Sequence, residues 1–181
     1  MSKMLKAAGS AAPVRSGAAP VGEGEAPAEP RCFPKRKRPA AGLFVIPNRP
    51  TLVFLTVCTK GRGPWLATPS GHAFLREIWN DGQAWLVGRY VLMPDHLHLF
   101  CAPNASGISL DRWVRYWKSR FTKYHSMAGH RWQAGHWDRR LRREESYAEK
   151  WAYVRANPVR AGLVKSADAW PFQGEMVKLP W

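Results

Sequence analysis

Two histidines separated by one residue, His96 and His98, lie in the segment Met93-Pro94-Asp95-His96-Leu97-His98-Leu99-Phe100. Along a β-strand alternate side chains share a face, so both imidazoles project together while Leu97 and Leu99 enter the opposite layer. Imidazoles side by side can chelate one divalent ion and leave positions open for a third ligand and a substrate oxygen, an arrangement suited to catalysis. The competing reading is a pair of histidines on a solvated sheet face, and His-x-His alone does not choose between the two. Imidazole ligands favour Zn²⁺ and other transition metals, so the identity of an ion is left open, and a zinc hydrolase completed by Asp95 or Cys101 is one alternative.

A second group of polar residues falls on residues 144–157, which read as a helix stopped by Pro158. At about 100° per residue, Tyr147, Trp151 and Val154 form one stripe, and Glu149, Tyr153 and Asn157 lie on the other side. Tyr153 is therefore expected to point away from the core, with Asn157 one turn beyond it, so that a phenol and an amide oxygen can approach the same ion. A half-buried packing role is the alternative for Tyr153.

The elements that must position these groups follow from the apolar patterning. Strands are predicted over 52–57, 85–93, 96–101 and 136–142, and helices over 70–80, 110–127 and 144–157. In the long helix Leu110, Trp113, Trp117, Phe121 and Tyr124 recur three or four apart. The order β, α, β, β, α, β, α predicts an α+β fold, a ferredoxin-like or RRM-like layer of helices on a mainly antiparallel sheet. Residues 1–47 are rich in Ala, Gly, Pro and Ser and end near the basic run Lys35 to Arg38, which predicts a disordered tail before a single domain over 48–181.

Composition narrows the partners. The 181 residues carry 28 Lys and Arg against 13 Asp and Glu, a formal charge of +15, and such an excess favours polyanions, nucleic acid before membrane lipid. No run of about 18 apolar residues or secretory signal is evident, so an intracellular protein without a membrane partner is expected. Cys32, Cys58 and Cys101 have no CxxC spacing and read as reduced and structural.

Four blocks in order carry a family resemblance. They are Phe54-Leu55-Thr56 with Cys58-Thr59 and Arg62; Tyr90-Val91-Leu92-Met93-Pro94-Asp95-His96-Leu97-His98-Leu99; Gly135-His136-Trp137-Asp138-Arg139-Arg140 with Arg142; and Tyr153-Val154-Arg155-Ala156-Asn157-Pro158-Val159-Arg160-Ala161-Gly162-Leu163-Val164 followed by Trp170-Pro171. Over residues 48–173 the chain resembles the single-tyrosine transposases with a His-hydrophobe-His (HUH) metal motif, in particular the REP-associated tyrosine transposases. Relatives often have a larger aliphatic residue at Val154, and the N-terminal tail has no counterpart.

The resemblance implies that Tyr153 attacks a DNA phosphate and that His96, His98 and Asn157 hold Mg²⁺ or Mn²⁺. It further implies strand transfer through a 5′-phosphotyrosine link, on single-stranded or hairpin DNA with REP-like hairpins. Lys60, Arg62, Arg112, Arg115, Lys118, Arg139, Arg140 and Arg142 are the expected DNA contacts. A monomer is favoured over a homodimer, and the expected location is the cytoplasm, associated with the nucleoid. A hairpin-binding module without nuclease activity is the alternative within the same resemblance.

Overall fold

The computed structural model describes residues 51–104, 107–125, 129–141 and 147–179. The expected tail over 1–47 and the candidate contact Arg142 lie outside the described residues.

Strand β1 (Val53–Cys58) leads through a short 3-10 turn (Lys60–Arg62) to helix α1 (Pro69–Asp81). The hairpin β2 (Trp85–Met93) and β3 (His96–Pro103) follows, then helix α2 (Leu110–Tyr124), β4 (Trp137–Arg140), helices α3 (Tyr147–Arg155) and α4 (Asn157–Arg160), and the short β5 (Gln173–Glu175). The five strands form one antiparallel sheet in the order β4-β1-β3-β2-β5. The α+β expectation holds. Among the described residues no helix is long and apolar enough to cross a membrane.

Helices α1 and α2 start where side-chain oxygens replace missing backbone partners. The Thr68 hydroxyl accepts from the Gly71 N–H ahead of Pro69, and the Ser109 hydroxyl accepts from the Arg112 N–H. Both helices cover one face of the sheet, where Leu75, Ile78, Trp113, Trp117 and Phe121 pack on Leu55, Leu97 and Leu99. Each fully buried large apolar side chain there contributes about 1.5–3 kcal/mol. Tyr124, expected on the apolar stripe, is exposed at the end of α2.

Strand alternation sends Leu52, Phe54, Val91, Met93, Phe100 and Ala102 to the opposite face. Val154 of α3 and Trp170 bury against them, and Tyr147, Trp151 and Tyr153 pack around the rim. The indole N–H of Trp170 donates to the Leu92 carbonyl at 2.8 Å, which fastens the C-terminal segment to β2.

The last helix differs from its expected form. It ends at Arg155, and Asn157 opens the separate short α4 with Pro158 in its first turn, where a residue lacking an N–H costs no hydrogen bond. The break turns Asn157 inward to 2% exposure, rather than leaving it on a polar stripe.

Candidate active site

Strand β3 is the central strand, flanked by β1 and β2, so the backbone at the two histidines is held from both sides. His96 pairs with Cys58 and Met93, and His98 pairs with Thr56 and Val91. As alternation requires, Leu97 and Leu99 enter the α1/α2 layer and the imidazoles face the α3 side. They are not solvated: His96 is 3% and His98 4% exposed. Burial decides against the reading of a wet sheet face.

The two Nε2 atoms lie 3.1 Å apart. Each Nδ1 atom has its own anchor, at 2.6 Å to Asp95 Oδ1 for His96 and at 2.9 Å to Thr56 Oγ1 for His98. The Asp95 carboxylate is itself held by Arg62, whose Nε lies 2.6 Å from Oδ2. Its backbone carbonyl accepts from both the N–H and the hydroxyl of Thr59, each at 2.9 Å. Burial pushes the Asp95 carboxyl up, but the hydrogen bond from His96 and the charges of His96 and Arg62 outweigh it, so the group sits below its ordinary range.

An ionised carboxylate only accepts, so the His96 Nδ1 carries hydrogen, and in the neutral ring its Nε2 presents a lone pair. His98 titrates well below an ordinary histidine, chiefly because it is buried and secondarily because His96, Arg62, Arg160 and Lys150 repel a proton. The Thr56 hydroxyl rotates to serve either tautomer of that ring. With the His98 proton on Nε2, the pair forms one N–H···N hydrogen bond. With it on Nδ1, two lone pairs face each other, an arrangement that a shared cation relieves.

The residues fit such a cation. Two ligand bonds of about 2.1 Å meeting near a right angle place their donor atoms about 3.0 Å apart, close to the observed separation. Anchored Nδ1 atoms are the usual support of ligating histidines. Among the described residues no group of three His, Cys, Asp or Glu is placed to hold a metal ion. A zinc site completed by Cys101 or Asp95 is therefore not assembled. Cys101 is buried in the opposite layer, where burial and then Asp138 raise its thiol well above the ordinary value, and Asp95 is turned to Nδ1.

Helix α3 and α4 lie over this same face. The Phe54 ring stacks on His98 at 5.3 Å, and the Lys150 ammonium of α3 sits 5.4 Å over Phe54. The Arg160 guanidinium stacks 4.1 Å from the Tyr153 ring centre, donates to the Tyr153 carbonyl at 3.0 Å, and donates to Asn157 Oδ1. One cation thus ties Tyr153 to Asn157. The Asn157 oxygen has a second lone pair beyond the one Arg160 uses. Tyr153 is half-buried against the second core cluster, neither fully solvent-facing nor sealed.

The expected DNA contacts divide by location. Lys60 and Arg62 occupy the turn beside Asp95, and Arg62 is part of the histidine anchor. Arg139 pairs with Phe54 and shares the histidine face, whereas Arg140 pairs with Val53 and faces the other layer. Arg112, Arg115 and Lys118 ride on α2, across the sheet from the histidines. Lys118 donates to the Gln133 and Gly135 carbonyls at 2.8 and 2.6 Å, so it also orders the segment before β4. Sequence reasoning gave no positioning role to Thr56, Phe54, Asp95 or Arg160. Thr56 was recoverable from antiparallel pairing, and Asp95 from its place in the turn immediately before His96.

An α+β domain whose central antiparallel strand presents two buried, anchored histidines beneath a tyrosine-bearing helix is the class this geometry defines. The chain is 30% identical over 124 residues to the REP-associated tyrosine transposase of Escherichia coli (strain K12), spanning 66% of this chain and 73% of that protein. A solved structure of a REP-associated tyrosine transposase bound to a REP hairpin matches with a TM-score of 0.60 at 25% identity, covering 68% of this chain and 75% of that one. No protein-family model matches. The chain belongs to the REP-associated tyrosine transposase family.

Proposed function

We propose that this chain binds hairpin-bearing single-stranded DNA, cuts one strand with Tyr153 and rejoins it by transfer. The observation that carries the reading is the convergence of the His96 and His98 Nε2 atoms at 3.1 Å, on the sheet face covered by α3. The family relatives and the formal charge of +15 support DNA as the substrate.

A phenol with a pKa near 10 is about one part in a thousand ionised at pH 7, so Tyr153 needs help to become a nucleophile. His96, His98 and Asn157 would hold a divalent ion, Mg²⁺ or Mn²⁺, which when bound supplies positive charge to polarise a phosphoryl oxygen. Asp95 and Thr56 keep the imidazoles aimed, and Arg160 holds the turn that joins Tyr153 to Asn157. The Tyr153 oxygen forms a bond to phosphorus as the bond to the 3′ oxygen breaks. The phenolic proton leaves, and the departing 3′ oxygen gains one to become a hydroxyl. Because the 5′-phosphotyrosine keeps a phosphodiester, a 3′-hydroxyl reverses the step and joins strands without another energy source.

The test is incubation of the full chain with hairpin-bearing single-stranded DNA and Mn²⁺, read as a covalent protein-DNA band on a denaturing gel. Wild type should give the band and Tyr153→Phe none. An adduct with Tyr153→Phe refutes the nucleophile. Tight hairpin binding by wild type with no adduct over a panel of hairpins identifies a binding module instead.

A further inference from the structure

A hollow of about 450 Å³ lies away from the histidines, between the C-terminal half of α2 and the segment before β4, lined by Lys118, Ser119, Thr122, Lys123, Arg131 and Trp132. It is a shallow, open depression rather than an enclosing cleft, a shape that suits a strand lying across it. Three of the six lining residues are cationic and two are hydroxylic, and no carboxylate lines it. Ser119, Thr122, Lys123 and Arg131 are exposed, so the hollow opens to solvent. The Lys118 ammonium is fixed by the Gln133 and Gly135 carbonyls, and the Thr122 hydroxyl by the Lys118 carbonyl, so part of the lining is ordered before any ligand arrives.

The surroundings point to a chain of phosphates rather than a small anion. The Arg131 carbonyl accepts from the Lys60 N–H at 2.7 Å, and Trp132 is bridged to Thr59. Two residues beyond Lys60, Arg62 pairs with Asp95, which anchors His96. Along these backbone contacts Arg131, Lys60 and Arg62 lie in turn between the hollow and the histidine pair, around the end of the sheet where β1 leaves and β3 begins. We propose that this hollow is a second DNA site, gripping backbone phosphates of the strand that continues from the cleavage site past Lys60 and Arg62. The proposal rests on the reading of DNA as substrate.

The experiment measures hairpin DNA with a single-stranded extension binding to the full chain in EDTA, by fluorescence anisotropy over a series of salt concentrations. Lys123→Gln with Arg131→Gln is compared with Lys165→Gln with Lys178→Gln, exposed lysines outside the hollow whose replacement removes the same charge. The hollow variant should bind more weakly, and its plot of log affinity against log salt should flatten by about 0.7–0.9 for each phosphate that is no longer neutralised. The control should keep the wild-type slope, and Lys123→Arg should retain it as well. A hollow variant with the slope and affinity of the control overturns the second site while leaving DNA as the substrate. Failure of wild type to bind the DNA at all overturns both readings.

Discussion

Asp95 is the most informative residue to perturb, because it separates the aim of a ligand from the ligand itself. Asp95→Asn keeps the shape of the side chain but replaces the charge-assisted contact to His96 Nδ1, 2.6 Å long, with a neutral one about half as strong. The amide also offers an NH₂ to Nδ1, which would move the ring proton to Nε2 and remove one of the two lone pairs proposed to hold the cation. Removing such a supporting hydrogen bond typically lowers metal affinity about 10–100-fold, equivalent to about 1.4–2.7 kcal/mol. Arg62 acts at one remove and its side chain is 40% exposed, so its attraction to Asp95 is screened and Arg62→Gln should cost at most about fivefold. Calorimetric titration of Mn²⁺ into the chain without DNA reads both values, with thermal unfolding as the check on folding. Asp95→Asn binding Mn²⁺ within twofold of wild type, or losing less than Arg62→Gln, would refute the account of the anchor.

Two further outcomes test the packing of the α1/α2 layer, on the sheet face opposite the histidines. A Cβ at Gly174 would lie 2.8 Å from the Tyr90 hydroxyl and 3.1 Å from its ring carbon, and Tyr90 is 1% exposed and bonded to His72 Nε2 at 2.8 Å. Gly174→Ala should therefore cost about 1–3 kcal/mol in urea unfolding, and an unchanged midpoint would contradict the rigidity assigned to that ring. Burial, and secondarily Arg76, lowers the His72 pKa below 6.5, so below that pH the unfolded chain takes up a proton before the folded one does. Its contribution is complete above about pH 6.5 and declines as the pH falls toward the folded value. Stability should drop between pH 7.5 and 5.5 by less in His72→Gln than in wild type, and equal drops would remove His72 from the account.

The parts of the fold that alternation and helical period control were legible in the residues. Apolar runs located β1, β2, β3, α1 and α2, and period-two alternation separated His96 and His98 from Leu97 and Leu99. The β5 strand was not legible because Gln173, Gly174 and Glu175 have no apolar pattern and are held as an edge strand by pairing with β2. The helix break at Ala156 was misplaced because a proline can end one helix or open another, and only the packing of Asn157 against Arg160 distinguishes these. The histidine pair was visible, but its anchors were not. Thr56 comes from a strand 42 positions away and depends on register, whereas Asp95 adjoins His96 in the hairpin turn and went unassigned because nothing in the residue types gave it a partner.

The histidines and the tyrosine belong to separate mechanical parts. The β3 backbone is locked between two neighbours, so displacing either imidazole means breaking ladder bonds on both sides. Tyr153 instead rides on a nine-residue helix fastened by side-chain contacts and by Arg160. Sequence change can therefore tilt or shift the proposed nucleophile without disturbing the proposed metal site. In a lineage that encounters new DNA targets, variation should accumulate on the helix first and reach the strand last.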